Sequence, residues 1–375
     1  MRLAQLANFY GPTTGGLRTV VDALGRGYAD ADVERLLVVP GAEASEERID
    51  GGVRVTIPSH RVPGGGQYRV ITDVSRVRSL LDQFGPDHLE VSDKLTLHRL
   101  ARWGSERGVP SVLLSHERID SILAPRVPRG LPLRRAANQW NRRLASAFDA
   151  IVCASAFAAA EFERIGARNV VRVPLGVDLS LFHPDARGDR PLAGRPLRLV
   201  CVGRLSREKR PGVALGALRH LVASGVAAEL TFVGDGPLRA RLGLLATGLP
   251  VTFVGHLREQ VGVAVIVAQA DVALAPSPCE TFGLSVLESL ACGTPVVVAD
   301  TGASRELVDR SPIGVVTASD SRAFAAAVRA LAVDPVATRR GEARRRAELY
   351  PWSRAVASLL DLHRRLGTPR LRRAG

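Results

Sequence analysis

Short runs of β-branched and aliphatic residues alternate along this chain with stretches in which apolar residues recur every three to four positions. The first pattern predicts strands and the second helices, and their regular alternation predicts a parallel sheet covered on both faces. Strands are predicted at Leu3–Ala7, Leu36–Val39, Val53–Ile57, His88–Val91, Ser111–Leu114, Ala150–Cys153 and Val170–Val173, with helices at Leu17–Tyr28, Leu95–Arg107, Leu133–Ala147 and Ala156–Ile165. A second set of strands follows at Leu197–Val202, Glu229–Val233, Val251–Val254, Val272–Ala275, Pro295–Val298 and Gly314–Val316. Between the sets, Asp178 to Pro196 is rich in Pro, Gly, Asp and Arg and reads as the linker. The expected fold is therefore α/β, with two Rossmann-like, doubly wound domains at 1–182 and 183–350. Two such domains imply a cleft, because ligands in these folds bind beyond the carboxyl ends of the strands. The stretch Tyr350–Leu366 carries apolar residues at helical spacing, Trp352, Val356, Leu359, Leu360 and Leu366.

Composition narrows the class. At 375 residues the chain has room for two ordinary cores, and 46% hydrophobic with 23% charged residues is a globular balance. Cys153, Cys201, Cys279 and Cys292 are scattered without a C-x2-C pair, so neither a zinc site nor a disulfide framework is expected. No apolar run reaches the ~18 residues of a spanning helix. Residues 1–7 run straight into Gly11-Pro12, too soon for a signal peptide, and the expected compartment is the cytoplasm.

The net charge of +14 is nearly all arginine, since Lys94 and Lys209 are the only lysines. A coding bias explains such an excess without function. The distribution is uneven, however: Arg126, Arg129, Arg134, Arg135, Arg142 and Arg143 are interleaved with Val127, Leu131, Leu133, Trp140 and Leu144. A basic helix with an apolar side fits an anionic membrane surface. No helix-turn-helix, aromatic RNA-binding or zinc motif accompanies the charge, which argues against nucleic acid.

The chemistry concentrates around Glu280 and Glu288. A carboxylate just before a helix and another about two turns inside it can reach opposite ends of one elongated polyol. Free N–H groups at the helix start, around Phe282, Gly283 and Leu284, favour an anion between them. That suits a nucleotide-sugar; an acidic cap plus an exposed glutamate is the plain alternative. Arg204 and Lys209 follow the strand Leu197–Val202 and would hold and neutralise a diphosphate. Gly15 and Gly16, between the first strand and first helix, allow close backbone approach to a ligand and equally serve an ordinary turn. The dinucleotide fingerprint G-x-G-x-x-G is absent. One Asp-x-Asp triplet, Asp30-Ala31-Asp32, follows the first helix and reads as a solvated turn rather than a metal site. His116, at the end of an apolar strand, is by itself as compatible with structure as with catalysis.

Taken in order, Gly15-Gly16, His116, Val173-Pro174-Leu175-Gly176-Val177-Asp178, Gly203-Arg204 through Glu208-Lys209, Gly234-Asp235-Gly236-Pro237 and the Glu280/Glu288 pair resemble the retaining glycosyltransferases of family 4, of the GT-B fold and the E-x7-E type. The resemblance covers nearly the whole chain. It implies transfer of a hexose with retention, by same-face substitution in which a leaving phosphate oxygen takes the acceptor's proton. It places His116 against the transferred sugar. Asp235 and His256 are further candidates for the base and ribose end, and with no credible Asp-x-Asp site the cationic side chains of Arg204 and Lys209 replace a metal ion; no cofactor is expected. It also implies that the C-terminal helix, about 351–375, returns to the N-terminal domain. The segments at Ala7–Pro12, Glu90–Asp93 and Ser115–Arg118 resemble the branch using GDP-mannose and an anionic glycolipid of the phosphatidylinositol mannoside type, which would place the enzyme peripherally at the inner leaflet. A uridine-diphosphate-sugar donor, a soluble acceptor, an epimerase or a silent binding module remain alternatives. A pyridoxal-dependent phosphorylase would have only Lys94 or Lys209 for its Schiff base.

Overall fold

The computed structural model describes residues 1–11, 15–62, 68–120, 133–188, 195–308, 312–331, 333 and 335–367. The chain divides into two units, 1–174 with 352–375, and 175–351.

In the first unit β1 (Arg2–Leu6), β2 (Glu34–Gly41), β3 (Ser45–Ile49), β4 (Gly52–Pro58), β7 (His88–Val91), β8 (Ser111–Ser115), β9 (Ala150–Cys153) and β10 (Val170–Arg172) form one sheet, with β5 (His60–Arg61) and β6 (Arg69–Val70) as a separate hairpin. The strand order β10-β9-β8-β7-β1-β2-β4-β3 reverses direction of growth between β7 and β1. Leu3 sits between Arg35 and His88 in register, and every pairing of the eight-stranded sheet is parallel except β3 with β4. Helices α1 (Gly15–Asp30), α2 (Val74–Phe84), α3 (Leu100–Arg107), α4 (Leu133–Ala147) and α5 (Ala156–Glu163) provide the crossovers among the described residues. Leu6, Val38, Leu89, Leu113 and Ile151 are buried in its core, as expected for central strands covered on both faces. β3 escaped the sequence reading because Ser45, Glu46, Glu47 and Arg48 are all exposed. It is a polar edge strand with no apolar alternation to reveal it.

The second unit is a six-stranded parallel sheet of β11 (Leu197–Val202), β12 (Ala228–Val233), β13 (Val251–Gly255), β14 (Val272–Ala275), β15 (Val296–Ala299) and β16 (Gly314–Thr317), in the order β13-β12-β11-β14-β15-β16. Its helices are α6 (Pro211–Ala223), α7 (Arg239–Leu245), α8 (Gln260–Gln269), α9 (Leu284–Ala291), α10 (Ser321–Leu331) and α11 (Val336–Ala347). Leu199, Phe232, Leu274, Val297 and Phe324 fill the core.

The boundary differs from the expected linker at Asp178–Pro196. Residues 178–187 belong to the second unit: Phe182 is buried, and Arg344 Nη1 donates to Leu179 O at 3.2 Å and Phe182 O at 2.8 Å. Proline and glycine there build a turn that packs. The chain enters and leaves the second unit side by side, with Val177 N donating to Tyr350 O at 2.9 Å.

From Trp352 to Gly367 the chain forms α12, which belongs to the first unit and packs on α1. Gly27 permits this approach, since a Cβ there would overlap the Val356 side chain. Among the described residues no helix is long and apolar enough to cross a membrane.

Candidate active site

In the second unit the sheet order reverses between β11 and β14, a switch point at whose carboxyl ends folds of this kind form their ligand crevice. Both loops carry charged candidates. After β11, Gly203 takes φ +142°, and Arg204 to Lys209 follow before Pro211 opens α6. After β14, Pro276 to Gly283 lead into α9. The loops are tied together: Ser277 Oγ donates to Glu208 O at 3.0 Å, and Lys209 Nζ pairs with the Glu280 carboxylate. Two residues 71 positions apart in sequence thus meet at the switch point. Each serves the other as a counter-charge. Arg204 is part-buried on the same loop.

Glycine is required where the loops crowd. Gly234 and Gly236 follow β12 and press on the β11 loop; a Cβ on Gly236 would lie 2.6 Å from Leu205 O, and one on Gly234 would overlap Gly203 O. Leu205 N donates to Asp235 O at 3.0 Å and Leu238 N to Leu205 O at 2.9 Å. The Gly-Asp-Gly triplet therefore locks one loop against another. Asp235 itself is exposed, its carboxylate accepting from Gly236 N at 2.7 Å, and His256 is exposed beyond β13. β13 is the edge strand, two places from the crevice.

Gly283 caps α9 at φ +98° and, as glycine, offers its first turn no side-chain cap, a helix start of the kind that receives an anion. Leu284 at the first position is part-buried. Phe282 is turned inward, 5% exposed and edge-on to Tyr350 at 6.3 Å, so its ring supports the loop and only its backbone could meet a ligand. Glu288, in the second turn, is part-buried with no hydrogen bond or ion pair to its carboxylate among the described residues. Burial without compensation pushes this carboxyl up to about 7. The segment after β15 was not anticipated as part of the site. Ala303 N donates to Glu280 O at 2.7 Å, and Gly302, at φ +86°, approaches Pro278 O so closely that a Cβ would sit 3.1 Å away. Asp300–Ala303 therefore clamps the backbone that carries Glu280; Thr-Gly-Ala after an apolar strand was its only trace in the sequence.

In the first unit, β1 and β7 flank the switch point. Asn8, beyond β1, is fully buried and binds Thr96 Oγ1 at 2.8 Å and Ile71 N at 2.8 Å, which joins the loops after β1 and β7 to the β5–β6 hairpin. Gly15 and Gly16 are exposed at the start of α1, and a Cβ on Gly15 would meet nothing within 4 Å, so crowding does not account for glycine there. His116 follows β8; its Nε2 lies 3.1 Å from Ser92 Oγ. Burial first and the charge of Lys94 second push this imidazole down to about 4, so it is neutral at pH 7. Asp30 and Asp32 lie exposed in a turn at the far end of α1, away from the strand carboxyl ends. No group of three or more potential metal-ligating His, Cys, Asp or Glu side chains stands together among the described residues.

Arg134, Arg135, Arg142 and Arg143 are exposed on α4, while Arg126 and Arg129 lie outside the described residues. Val127 and Leu131 also lie outside them, and among the described residues the expected apolar side of this basic helix does not face solvent. Ala137 and Leu144 are buried in the core, and Trp140 packs inward, its Nε1 donating to Lys94 O at 3.1 Å. The outer face is arginine with polar neighbours, suited to electrostatic contact and not to insertion.

The family model described as Glycosyltransferase Family 4 matches residues 14–181, and that described as Glycosyl transferases group 1 matches residues 196–334. The chain is 47% identical over 369 residues to the GDP-mannose-dependent alpha-(1-6)-phosphatidylinositol dimannoside mannosyltransferase of Mycobacterium tuberculosis, covering 96% of this chain and 95% of that one. It is 31% identical to a GDP-mannose-dependent alpha-mannosyltransferase of Mycolicibacterium smegmatis over 93% of each chain. Among solved structures, sucrose-phosphate synthase from Thermosynechococcus elongatus superposes with a TM-score of 0.81 at 22% identity, covering 97% of this chain and 98% of its own. Anabaena HepE in complex with UDP does so with a TM-score of 0.73 at 19% identity, over 96% and 99%. Two doubly wound units, glycosyltransferase matches in both halves and near-full-length identity to curated transferases lead to one conclusion: the chain is a GT-B glycosyltransferase and belongs to family 4.

Proposed function

We propose that this enzyme transfers mannose from GDP-mannose to a phosphatidylinositol mannoside-type glycolipid, with retention and without a metal ion, while peripherally bound at the inner face of the plasma membrane. The observation that carries the reading is the meeting of Lys209 and Glu280 at the switch point, with Glu288, unpartnered among the described residues, in the second turn of α9. The relative at 47% identity supports the choice of donor and acceptor.

In this reading Arg204 and Lys209 hold the diphosphate and neutralise the charge it gains as the glycosidic bond breaks, assisted by the start of α9. Glu280 hydrogen-bonds the hexose and Glu288 the ribose diol. The Lys209–Glu280 pair opens as the donor enters, since each partner exchanges its counter-charge for a group of the donor. Gly15 and Gly16 bring backbone N–H groups to the donor, and Asp235 and His256 serve the base and ribose side. His116, neutral at pH 7, hydrogen-bonds the transferred sugar. A leaving phosphate oxygen receives the acceptor's proton on the face from which it departs, which retains configuration.

The test is a transfer assay with GDP-mannose and other nucleotide-sugars, against purified phosphatidylinositol dimannoside and soluble mannosides, with and without EDTA. The expected result is α-linked mannose on the glycolipid, from GDP-mannose, undiminished by chelation. A preference for a uridine donor, an inverted product or metal-reversible loss of activity would each overturn the corresponding part.

A further inference from the structure

The loop that carries His116 is held from within by a charge pair outside the roles given above. Lys94, beyond β7, and Glu161, on α5, pair directly with side chains 9% and 0% exposed. Lys94 Nζ also donates to Glu117 O at 2.6 Å. The other Glu161 oxygen accepts from Asn141 Nδ2 at 3.0 Å and from the Ile119 N–H at 3.3 Å. One ion pair therefore grips the main chain on both sides of Arg118, immediately after His116. The Phe162 ring lies 4.9 Å from the ammonium and shields it from water.

A buried pair is a poor source of stability, because desolvation cancels most of the attraction and apolar replacements often serve as well. Its place beside the histidine loop supplies another reason to retain it. Arginine is this chain's ordinary cation, and lysine occurs only twice. Position 94 holds the compact point charge rather than the wide guanidinium fork.

We propose that Lys94 is a positioning residue for sugar transfer: paired with Glu161, it fixes the Glu117–Ile119 main chain and with it the loop that presents His116. The proposal rests on the reading of His116 as the hydrogen-bonding partner of the transferred sugar. A neutral imidazole can both donate and accept, whereas imidazolium can only donate and would repel the positive charge developing at the anomeric carbon. Lys94 cannot drift from its post, because its amine is bound on two sides and its own carbonyl accepts from Trp140.

Lys94→Met/Glu161→Gln removes the charge without stranding a carboxylate, and keeps an amide oxygen for Asn141 and Ile119. Expected are unchanged GDP affinity within twofold, a fall in kcat of at least tenfold at pH 7.5, and a changed environment of the His116 ring, read by NMR of the histidine ring nitrogens. Wild-type kcat in the folded double variant overturns the proposal, as does a loss confined to GDP affinity. His116→Ala separates the two readings. If that variant turns over normally, the histidine role fails and this proposal with it; if it is inactive while the double variant is fully active, only the role of Lys94 fails.

Discussion

At the scale of single residues, Glu288 stands out because its surroundings oppose its charge. Its carboxyl is pushed up to about 7 by burial alone, so the folded protein binds a proton there that the unfolded chain releases near its ordinary value of 4.5. Stability from this group is complete below about pH 4.5 and is lost as pH rises through about 7. Glu288→Gln should therefore stabilise the ligand-free enzyme at pH 8, by about 1–3 kcal/mol, with little effect at pH 5. The same change should weaken GDP binding by about 2 kcal/mol, roughly thirtyfold, because charge-assisted bonds to the ribose diol are lost. Denaturation midpoints and calorimetric titration check both halves. A variant that binds GDP normally would remove Glu288 from the site, and one not stabilised at pH 8 would contradict its uncompensated burial. Both carboxylates were legible as candidates from their spacing, but the Lys209–Glu280 pair was not. It depends on β11 and β14 being neighbours, which no local pattern in the sequence reveals.

Two arginine-rich helices show how composition misleads at the scale of elements. In α11, Arg340 donates to Ala268 O at 2.6 Å, Ala270 O at 3.1 Å and Cys292 O at 3.0 Å, while Arg344 reaches Ala291 O at 3.0 Å. These are carbonyls at the carboxyl ends of α8 and α9, which lack intrahelical partners. Those arginines are structural cement. In α4, Arg134, Arg135, Arg142 and Arg143 are exposed. Each arginine close to an anionic surface contributes about 1 kcal/mol, falling off over roughly 8–10 Å in physiological salt. Changing these four to Gln should lower binding to anionic vesicles at least tenfold and leave GDP affinity unaltered. The matched control changes exposed Arg76, Arg78, Arg241 and Arg322. Co-sedimentation with anionic and neutral vesicles decides, and equal losses in both variants would leave α4 without a special role.

At the scale of the molecule, the first unit is closed by the other end of the chain. Glu90 on β7 is fully buried and accepts from Gln5 Nε2 at 2.9 Å and Tyr28 Oη at 2.6 Å, and pairs with His363 Nε2 of α12 at 2.8 Å. His88 lies edge-on to His363 at 4.9 Å, and burial followed by the His363 charge pushes it down to about 4. Bonds to its partners hold Glu90 below the usual carboxyl range against the opposing effect of burial. His88 is proton-free in the folded state while the unfolded chain protonates near 6.5, so its contribution is complete above about pH 6.5 and is lost as pH falls towards 4. Glu90 acts in the same sense, further into acid. All three tryptophans, Trp103, Trp140 and Trp352, lie in this unit, so their fluorescence reports on it directly. The unit should lose roughly 2–3 kcal/mol between pH 7.5 and pH 4, and His88→Leu should flatten that dependence. An unchanged slope in the variant would assign the acid sensitivity to other groups.

Periodicity was enough for the alternating strands and helices, with Leu133–Ala147, Ala150–Cys153 and Leu197–Val202 matching the structure to the residue. A buried strand needs a continuous apolar run and a covering helix an apolar stripe, and both are local properties of the chain. The glycines and carboxylates that mark the family were legible for a similar reason, since backbone approach and charge demand particular residue types. What local pattern could not decide is which side chains meet. The direction of the apolar side of α4, the inward turn of Phe282, the capping arginines of α11, and the Lys94–Glu161 pair beneath His116 all depend on strand order and helix packing. Those contacts join residues far apart in sequence, and their energies arise only when the folded chain removes both partners from water.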